Sequence, residues 1–144
     1  MRKKRMSKVA VVFWSGTGNT EAMANAVADG AKGAGAEAEV IPCASFSASD
    51  VGKYDAIAFG CPSMGAEQLE ESEFEPMFAS VEGSLSGKKV GLFGSWGWGN
   101  GAWMDDWNTR CLGDGMNVVN TVHCNGFPDE AALTACKELG AALA

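Results

Sequence analysis

The sequence predicts an α/β fold, a doubly wound five-stranded parallel sheet with helices on both faces. Five apolar, strand-like segments alternate with segments of helical periodicity, which is the pattern of repeated β–α units. The first of these segments, residues 9–14, is apolar throughout, as expected for a central strand buried on both faces. The 144 residues contain no internal repeat, linker or low-complexity tract, so we expect a single domain over residues 8–144.

The first half of the chain is predicted to contain three strands and one long helix. The first strand, Val9–Trp14, is followed by a helix from about residue 20 to residue 32. One face of this helix is formed by Met23, Val27, Gly30 and Ala34. Residues 37–41 begin by alternating acidic and apolar side chains, which places this second strand at a sheet edge. Residues 45–53 are predicted to form a loop or a short helical turn, and residues 56–60 a third, buried strand.

The second half is predicted to contain three helices and two strands. Ser72 and Glu75 have the S-x-x-E spacing of a capping box and predict a helix start. The inward face of this helix is formed by Phe74, Met77, Phe78 and Val81. A fourth strand covers residues 90–93, and a helix follows the glycine-rich segment after it. This next helix has one face formed by Trp103, Met104, Trp107 and Cys111. The last strand, residues 117–124, leads to a final helix that begins near Asp129.

The charge distribution argues against several classes of partner. The net charge at pH 7 is −7, but five of the 11 basic residues lie in the first eight positions, which contain no acid. The rest of the chain carries 6 basic and 18 acidic residues, a net charge of −12. Such a surface repels nucleic acid and anionic membranes and attracts basic proteins. Residues 1–7 are predicted to form a disordered basic extension.

The sequence favours a cytoplasmic location. The apolar run behind the basic N-terminus has six residues, fewer than the ~7–15 of a signal peptide, and no segment approaches the ~20 apolar residues of a membrane span. The five cysteines lack CxxC spacing and are accompanied by a single histidine, so neither a zinc site nor a disulfide framework is expected. We therefore expect free thiols in a reducing compartment. The histidine, His123, is interpreted as a polar residue at a strand end without a chemical role.

Residues 15–20, Ser-Gly-Thr-Gly-Asn-Thr, join the first strand to the first helix and predict a phosphate site. The first N–H groups of a helix are unpaired, and the helix dipole adds partial positive charge there. The loop supplies hydroxyl donors from Ser15, Thr17 and Thr20, and flexible backbone from Gly16 and Gly18. No Lys or Arg lies between Lys8 and Lys32, so the phosphate would have no counter-charge. The motif is neither a P-loop nor the dinucleotide GxGxxG pattern, and a plain Gly/Ser turn is the alternative interpretation.

Two further loops are expected beside this one, at the carboxyl edge of the sheet. Residues 62–67 contain a methionine next to a glycine turn, and residues 94–101 contain two tryptophans among glycines. In doubly wound sheets, ligands bind at this edge where the strand order reverses. A flat aromatic ligand with a phosphate tail would use all three loops.

From residue 8 to the C-terminus, the chain resembles a short-chain flavodoxin. The resemblance depends on residues 14–20 (WSGTGNT), 60–67 (GCPSMGAE), 70–76 (EESEFEP), 87–95 (GKKVGLFGS), 97–99 (GWG) and 103–104 (WM). It implies bound FMN and the strand order 2-1-3-4-5. Three residues depart from the usual pattern and bear on the redox potentials: Trp96 in place of Tyr, Ala66 in place of Asp, Gly or Ser, and Asn100 in place of a small or acidic residue.

The resemblance also implies roles for individual residues. Met64 and Trp98 would cover the two faces of the isoalloxazine ring, and Glu67 would accept a hydrogen bond from flavin N3–H. The backbone amides around Gly97 and Trp98 would meet the pyrimidine edge. The phosphate would be held by Ser15, Thr17, Asn19 and Thr20. The whole expected FMN site is Ser15, Gly16, Thr17, Gly18, Asn19, Thr20, Pro62, Ser63, Met64, Gly65, Ala66, Glu67, Ser95, Trp96, Gly97, Trp98 and Gly99.

The function implied by the resemblance is one-electron transfer through non-covalently bound FMN, which would shuttle between hydroquinone and semiquinone. The protein would be a monomeric carrier rather than an enzyme, because the positions over the flavin are occupied by protein side chains. Its partners would be basic redox proteins, namely reductases or oxidoreductases such as ferredoxin-type partners. The acidic side chains expected to dock them are Glu70, Glu71, Glu73 and Glu75.

Two other functions remain open at the level of sequence. One is an FMN-dependent NAD(P)H or quinone reductase of the same fold, which would leave one face of the flavin open. The other is a non-redox phosphate-binding or receiver-type module. A receiver would need an acidic cluster at the end of the first strand, where this chain has Trp14.

Overall fold

The computed structural model describes residues 7–14, 18–62, 69–70, 72–96 and 102–144. Its five strands form one parallel sheet in the order β2-β1-β3-β4-β5. The strands are β1 (Lys8–Phe13), β2 (Glu37–Pro42), β3 (Ala56–Gly60), β4 (Lys89–Trp96) and β5 (Asn117–Asn125). The helices are α1 (Asn19–Gly33), α2 (Phe74–Glu82), α3 (Ala102–Gly113) and α4 (Glu130–Leu143). The predicted fold class and strand order are confirmed.

The burial of the strands agrees with their places in the sheet. Residues 9–12 of β1 and all of β3 are buried, because both strands have neighbours on each side and helices on each face. The prediction that the second strand lies at an edge is confirmed, since β2 pairs only with β1 and exposes alternate residues. Pairing begins one residue before the predicted domain boundary, where the carbonyl of Ser7 accepts the N–H of Glu37. The predicted disorder of residues 1–6 lies outside the described residues.

The two faces of the sheet have separate apolar cores. On one face, α2 and α3 bring aromatic rings together, with Phe59 against Phe78 at 5.1 Å and Phe74 against Trp107 at 5.5 Å between ring centroids. Both pairs are edge-to-face, an arrangement that aromatic rings favour. On the other face, α1 and α4 contribute smaller aliphatic side chains, including Val27 and many alanines. Helices therefore cover both faces, as predicted.

The helices α1 and α4 cross at very short range through two glycines. A Cβ at Gly30 would overlap the carbonyl oxygen of Lys137, and a Cβ at Gly140 would overlap the carbonyl oxygen of Val27. The prediction that Ala34 belongs to the buried face of α1 is wrong, because the helix ends at Gly33 and Ala34 is exposed. Residues 43–45 and 48–53 form two short 3-10 helices, in agreement with the short helical turn predicted there.

None of the helices in the described parts of the chain combines the length and the apolar character needed to cross a bilayer.

Candidate functional site

The carboxyl ends of β1, β3 and β4 meet at one edge of the sheet. The N–H of Trp14 donates to the carbonyl of Gly60 at 3.0 Å, and the N–H of Cys61 donates to the carbonyl of Phe93 at 3.1 Å. These two hydrogen bonds continue the ladders past the last strand residues. The chain reverses its winding direction between β1 and β3, so this edge is the topological switch point at which α/β sheets bind ligands.

The first predicted loop ends at the N-terminus of α1. Gly18 caps this 15-residue helix with φ +92°, a left-handed conformation that glycine adopts without strain. Among the described residues, no atom lies within 4 Å of where a Cβ at Gly18 would be. Thr20 is buried and Asn19 is half-buried in the first turn. The preceding residues of the loop, Ser15, Gly16 and Thr17, lie outside the described residues.

The two ends of the second loop are joined to each other. The N–H of Glu70 donates to Sγ of Cys61 at 3.3 Å, and both side chains are buried. Burial raises the pKa of the Cys61 thiol, so the sulfur is a neutral acceptor. Pro62 begins the loop and is half-buried. The remaining predicted ligands, Ser63, Met64, Gly65, Ala66 and Glu67, lie outside the described residues.

Glu70 caps α2 from upstream, and the predicted capping box of Ser72 and Glu75 is wrong. The Glu70 carboxylate accepts N–H bonds from Ser72 (2.8 Å), Glu73 (2.8 Å) and Phe74 (2.9 Å), and it also accepts the Ser72 hydroxyl. The helix begins at Phe74, so Ser72 lies outside it and cannot act as its N-cap. Burial alone would raise the pKa of Glu70, but the hydrogen bonds from Ser72, Phe74 and Glu73 outweigh it and lower the pKa to about 2.

The structure changes the set of acidic side chains available to a partner. Glu70 is buried and so is removed from the predicted docking set. Both carboxylate oxygens of Glu75 accept from the guanidinium of Arg110, at 2.7 and 2.8 Å. Glu73 is exposed and accepts the indole N–H of Trp14 at 3.0 Å. Glu71 lies outside the described residues.

The third predicted loop was expected to start at residue 94, but this is wrong because residues 94–96 pair with β5 as the last residues of β4. Ser95 is buried, and Trp96 is half-buried. The carbonyl of Trp96 accepts the N–H of Gly126 at 2.8 Å, and its indole N–H donates to Nδ1 of His123 at 3.1 Å. The ring of His123 also lies edge-on to that of Trp103, at 5.8 Å between centroids. The predicted ligands Gly97, Trp98 and Gly99 lie outside the described residues.

The described members of the predicted site therefore come from three chain segments at one sheet edge. They are Gly18, Asn19, Thr20, Pro62, Ser95 and Trp96. Sequence reasoning missed the contacts of His123 with two tryptophans. The sequence placed His123 near the end of the last strand. The residues beside it on β4 could be identified only once the strand register was known.

Comparison with known proteins gives a consistent result over almost the whole chain. The flavodoxin family model matches residues 11–140. A flavodoxin from Megasphaera elsdenii is 50% identical over 136 residues, which cover 94% of this chain and 98% of that protein. A flavodoxin from Clostridium beijerinckii is 44% identical over 135 residues, which cover 93% of this chain and 97% of that protein.

The likeness extends to three dimensions. The solution structure of the two-electron reduced M. elsdenii flavodoxin matches this fold with a TM-score of 0.87, and the match covers 94% of this chain and 97% of that one. The resemblance found in the sequence motifs is thus confirmed by the full-length match and by the topology. The chain belongs to the flavodoxin family and is an electron carrier that binds FMN.

Proposed function

We propose that the crevice at the carboxyl ends of β1, β3 and β4 holds one FMN, with its phosphate at the N-terminus of α1. The observation that carries this proposal is the start of a 15-residue helix at the sheet's switch point, where Gly18 is its N-cap. Thr17 and Thr20 would donate hydroxyls to the phosphate, with Ser15 and Asn19 beside them. Met64 and Trp98 would cover the two faces of the ring system, and Glu67 would accept from N3–H.

The chemistry of the donor set fits a phosphate dianion without a basic side chain. Backbone N–H groups and hydroxyls are neutral donors, and their bonds to a charged acceptor are stronger than bonds between neutral groups. The dipole of α1 adds partial positive charge at the same end. Bound FMN supplies one-electron oxidation and reduction, while the protein supplies its position and excludes water from the ring.

We further propose that the protein acts as a carrier and not as an enzyme. Three titratable side chains described next to the predicted loops are already engaged in hydrogen bonds. Glu70 caps α2, Glu73 accepts from Trp14, and His123 accepts from Trp96. Cys61 is fully buried. NAD(P)H alone should therefore leave the FMN-loaded protein oxidised, and reduction should require a partner reductase. Direct reduction by NAD(P)H would instead indicate a reductase.

The cellular location and the oligomeric state of the protein are part of the same proposal. Four of the five free thiols are buried, which supports a reducing cytoplasm as their setting. A monomer fits a carrier that must present the cofactor edge to different partners. Size-exclusion chromatography with light scattering would measure this directly, and a stable dimer would contradict it.

Replacing Thr17 and Thr20 by Val tests the phosphate site. Each lost hydroxyl removes a hydrogen bond to a charged group, worth roughly 1.5–3 kcal/mol, which corresponds to a loss of about tenfold or more in FMN affinity. Riboflavin lacks the phosphate, so its weaker binding should change little. Fluorescence titration of the apoprotein measures both affinities.

A matched control is Thr134→Val, which removes an exposed hydroxyl from α4. This variant should bind FMN as the unmodified protein does. Equal losses for FMN and riboflavin in the Thr17 and Thr20 variants would show that these hydroxyls do not hold the phosphate.

A further inference from the structure

We propose that His123 is a positioning residue for Trp96, the last described residue before the third predicted loop. It contacts Trp96 at the end of β4 and Trp103 at the start of α3. The inference rests on the proposed function, in which Trp96 belongs to the FMN site. It gives a role to His123 that the sequence pattern alone did not indicate.

The hydrogen bond determines the state of the histidine. The indole N–H of Trp96 can only donate, so Nδ1 of His123, 3.1 Å away, must be an unprotonated acceptor. In the neutral ring the proton then lies on Nε2. His123 is exposed and Trp96 is half-buried, so this bond competes with water and its effect is moderate.

The strand register explains why these two side chains meet. In the β4–β5 ladder, Gly94 is opposite His123 and Trp96 is opposite Asn125. Trp96 and His123 are therefore diagonal neighbours on the same face of the sheet, within reach of long side chains. Because Gly94 has no side chain, the Trp103 ring can approach the β4 backbone opposite His123. A Cβ at Gly94 would also crowd the carbonyl of Cys61 and the ring of Trp103.

A second contact, with Trp103, connects His123 to α3. Trp103 is buried in the first turn of α3, and its ring lies at 69° to that of His123 with 5.8 Å between centroids. This is the edge-to-face geometry that aromatic pairs prefer. The His123 side chain on β5 thus contacts both Trp96 at the end of β4 and Trp103 at the start of α3.

The consequence is preorganisation of Trp96. The hydrogen bond from Gly126 fixes the backbone of Trp96, and the bond to His123 additionally fixes its indole ring. A side chain that is already held in place loses less conformational freedom when a ligand binds against it. Removing the acceptor on His123 should therefore weaken FMN binding without changing the fold of the apoprotein.

His123→Phe is the principal test, because it keeps a ring against Trp103 and removes the acceptor for Trp96. One neutral hydrogen bond corresponds to about a three- to tenfold increase in the dissociation constant of FMN. The apoprotein should keep its fold, with only a small decrease in Tm because the lost bond is solvent-exposed. His123→Asn places an amide oxygen near the position of Nδ1 and should restore affinity to within about twofold of the unmodified protein. Asn117→Phe puts a ring on an exposed position at the other end of β5 and should have no effect on FMN binding.

A double-mutant cycle shows whether the effect passes through Trp96. In the Trp96→Phe background the indole donor is gone, so His123→Phe should add no further loss of FMN affinity. NMR of the indole N–H groups gives a readout independent of the cofactor. The Trp96 signal of the apoprotein should shift in His123→Phe and return towards its original position in His123→Asn.

Several results would overturn the proposal. Unchanged FMN affinity in His123→Phe, or an equal loss in the Trp96→Phe background, would show that His123 does not act through Trp96. An unchanged Trp96 indole signal would show that the hydrogen bond does not form. Failure of the unmodified protein to bind FMN would instead contradict the proposed function.

Discussion

Glu70 illustrates how one buried carboxylate positions both a helix and a loop. Its side chain accepts the N–H groups at the start of α2, and its own N–H donates to the sulfur of Cys61 at the end of β3. The carboxylate must be ionised to accept all of these donors. The low pKa of about 2 is therefore a measure of how strongly the folded chain favours the charged form.

Glu70→Gln should destabilise the protein, because an amide nitrogen cannot accept the N–H groups that one carboxylate oxygen accepts. We expect the free energy of unfolding at about pH 7 to fall by roughly 1.5–3 kcal/mol, the range for a hydrogen bond to a charged group. Urea denaturation measures this. Glu138→Gln, an exposed carboxylate on α4, should change it by less than about 0.5 kcal/mol.

The difference in the free energy of unfolding between Glu70→Gln and the unmodified protein should also depend on pH. The folded pKa of Glu70, about 2, lies below the ordinary value of 4.5. The contribution of the ionised Glu70 carboxylate to the free energy of unfolding is therefore fully present above about pH 4.5. This contribution is lost as the pH falls towards 2. Denaturation curves should show a smaller stability difference between the two proteins at about pH 3 than at about pH 7. A difference of the same size at both pH values would show that the ionised form of Glu70 does not stabilise the start of α2.

The cysteines provide a second prediction at this scale. Burial raises the pKa of Cys43 to about 11 and that of Cys111 and Cys136 to about 12, while Cys124 is only half-buried. Because alkylation needs an accessible thiolate, iodoacetamide should modify Cys124 before the other four cysteines. Mass spectrometry of the native protein at intervals gives the order. Rapid modification of Cys61 would mean that its loop opens readily.

At the scale of elements, the sequence predicted what depends on apolar pattern and missed what depends on single long-range contacts. The strands and the edge position of β2 follow from which residues are apolar. The start of α2 was misplaced because the capping group, Glu70, comes from outside the helix and its reach depends on the fold. The end of α1 was predicted to within one residue, but Ala34 was wrongly assigned to a face of the helix, because it is the C-cap residue that follows Gly33.

The α1–α4 crossing gives a prediction at this scale. Gly140→Ala would push a methyl group into the carbonyl of Val27, and we expect a loss of roughly 1–3 kcal/mol in the free energy of unfolding, typical of overpacking. Gly33→Ala is the matched control, since its Cβ would meet nothing within 4 Å. That variant should stabilise the protein by up to about 1 kcal/mol, because alanine favours helix. Equal stability of the two variants would mean that the helices separate easily.

At the scale of the whole molecule, the parallel topology separates the charges. Every helix begins at the carboxyl edge of the sheet, and each carries an acidic residue in its first turn, namely Glu21, Glu75, Asp105 and Glu130. Basic residues lie towards the opposite edge, at the starts of β1 and β4 and in the last turns of α1 and α3. The carboxyl edge, where we propose that FMN binds, is thus the more acidic end of the described chain. The sequence predicted an acidic docking surface on Glu70, Glu71, Glu73 and Glu75, but Glu70 is buried and Glu75 is paired with Arg110.

This polarity predicts how the carrier meets a basic redox partner. Long-range attraction between an acidic edge and a basic protein raises the association rate, and salt screens it over about 8 Å at physiological ionic strength. Electron transfer from the reduced protein to a basic cytochrome, used as a probe, should slow steeply as salt rises.

Removing two charges at this edge, in Glu21→Gln with Glu130→Gln, should lower the rate at low salt and flatten its salt dependence. The pair Glu37→Gln with Glu138→Gln removes the same charge from positions away from the edge and should have a smaller effect. Equal effects of the two pairs would show that only net charge matters, and a rate independent of salt would show that docking is not electrostatic.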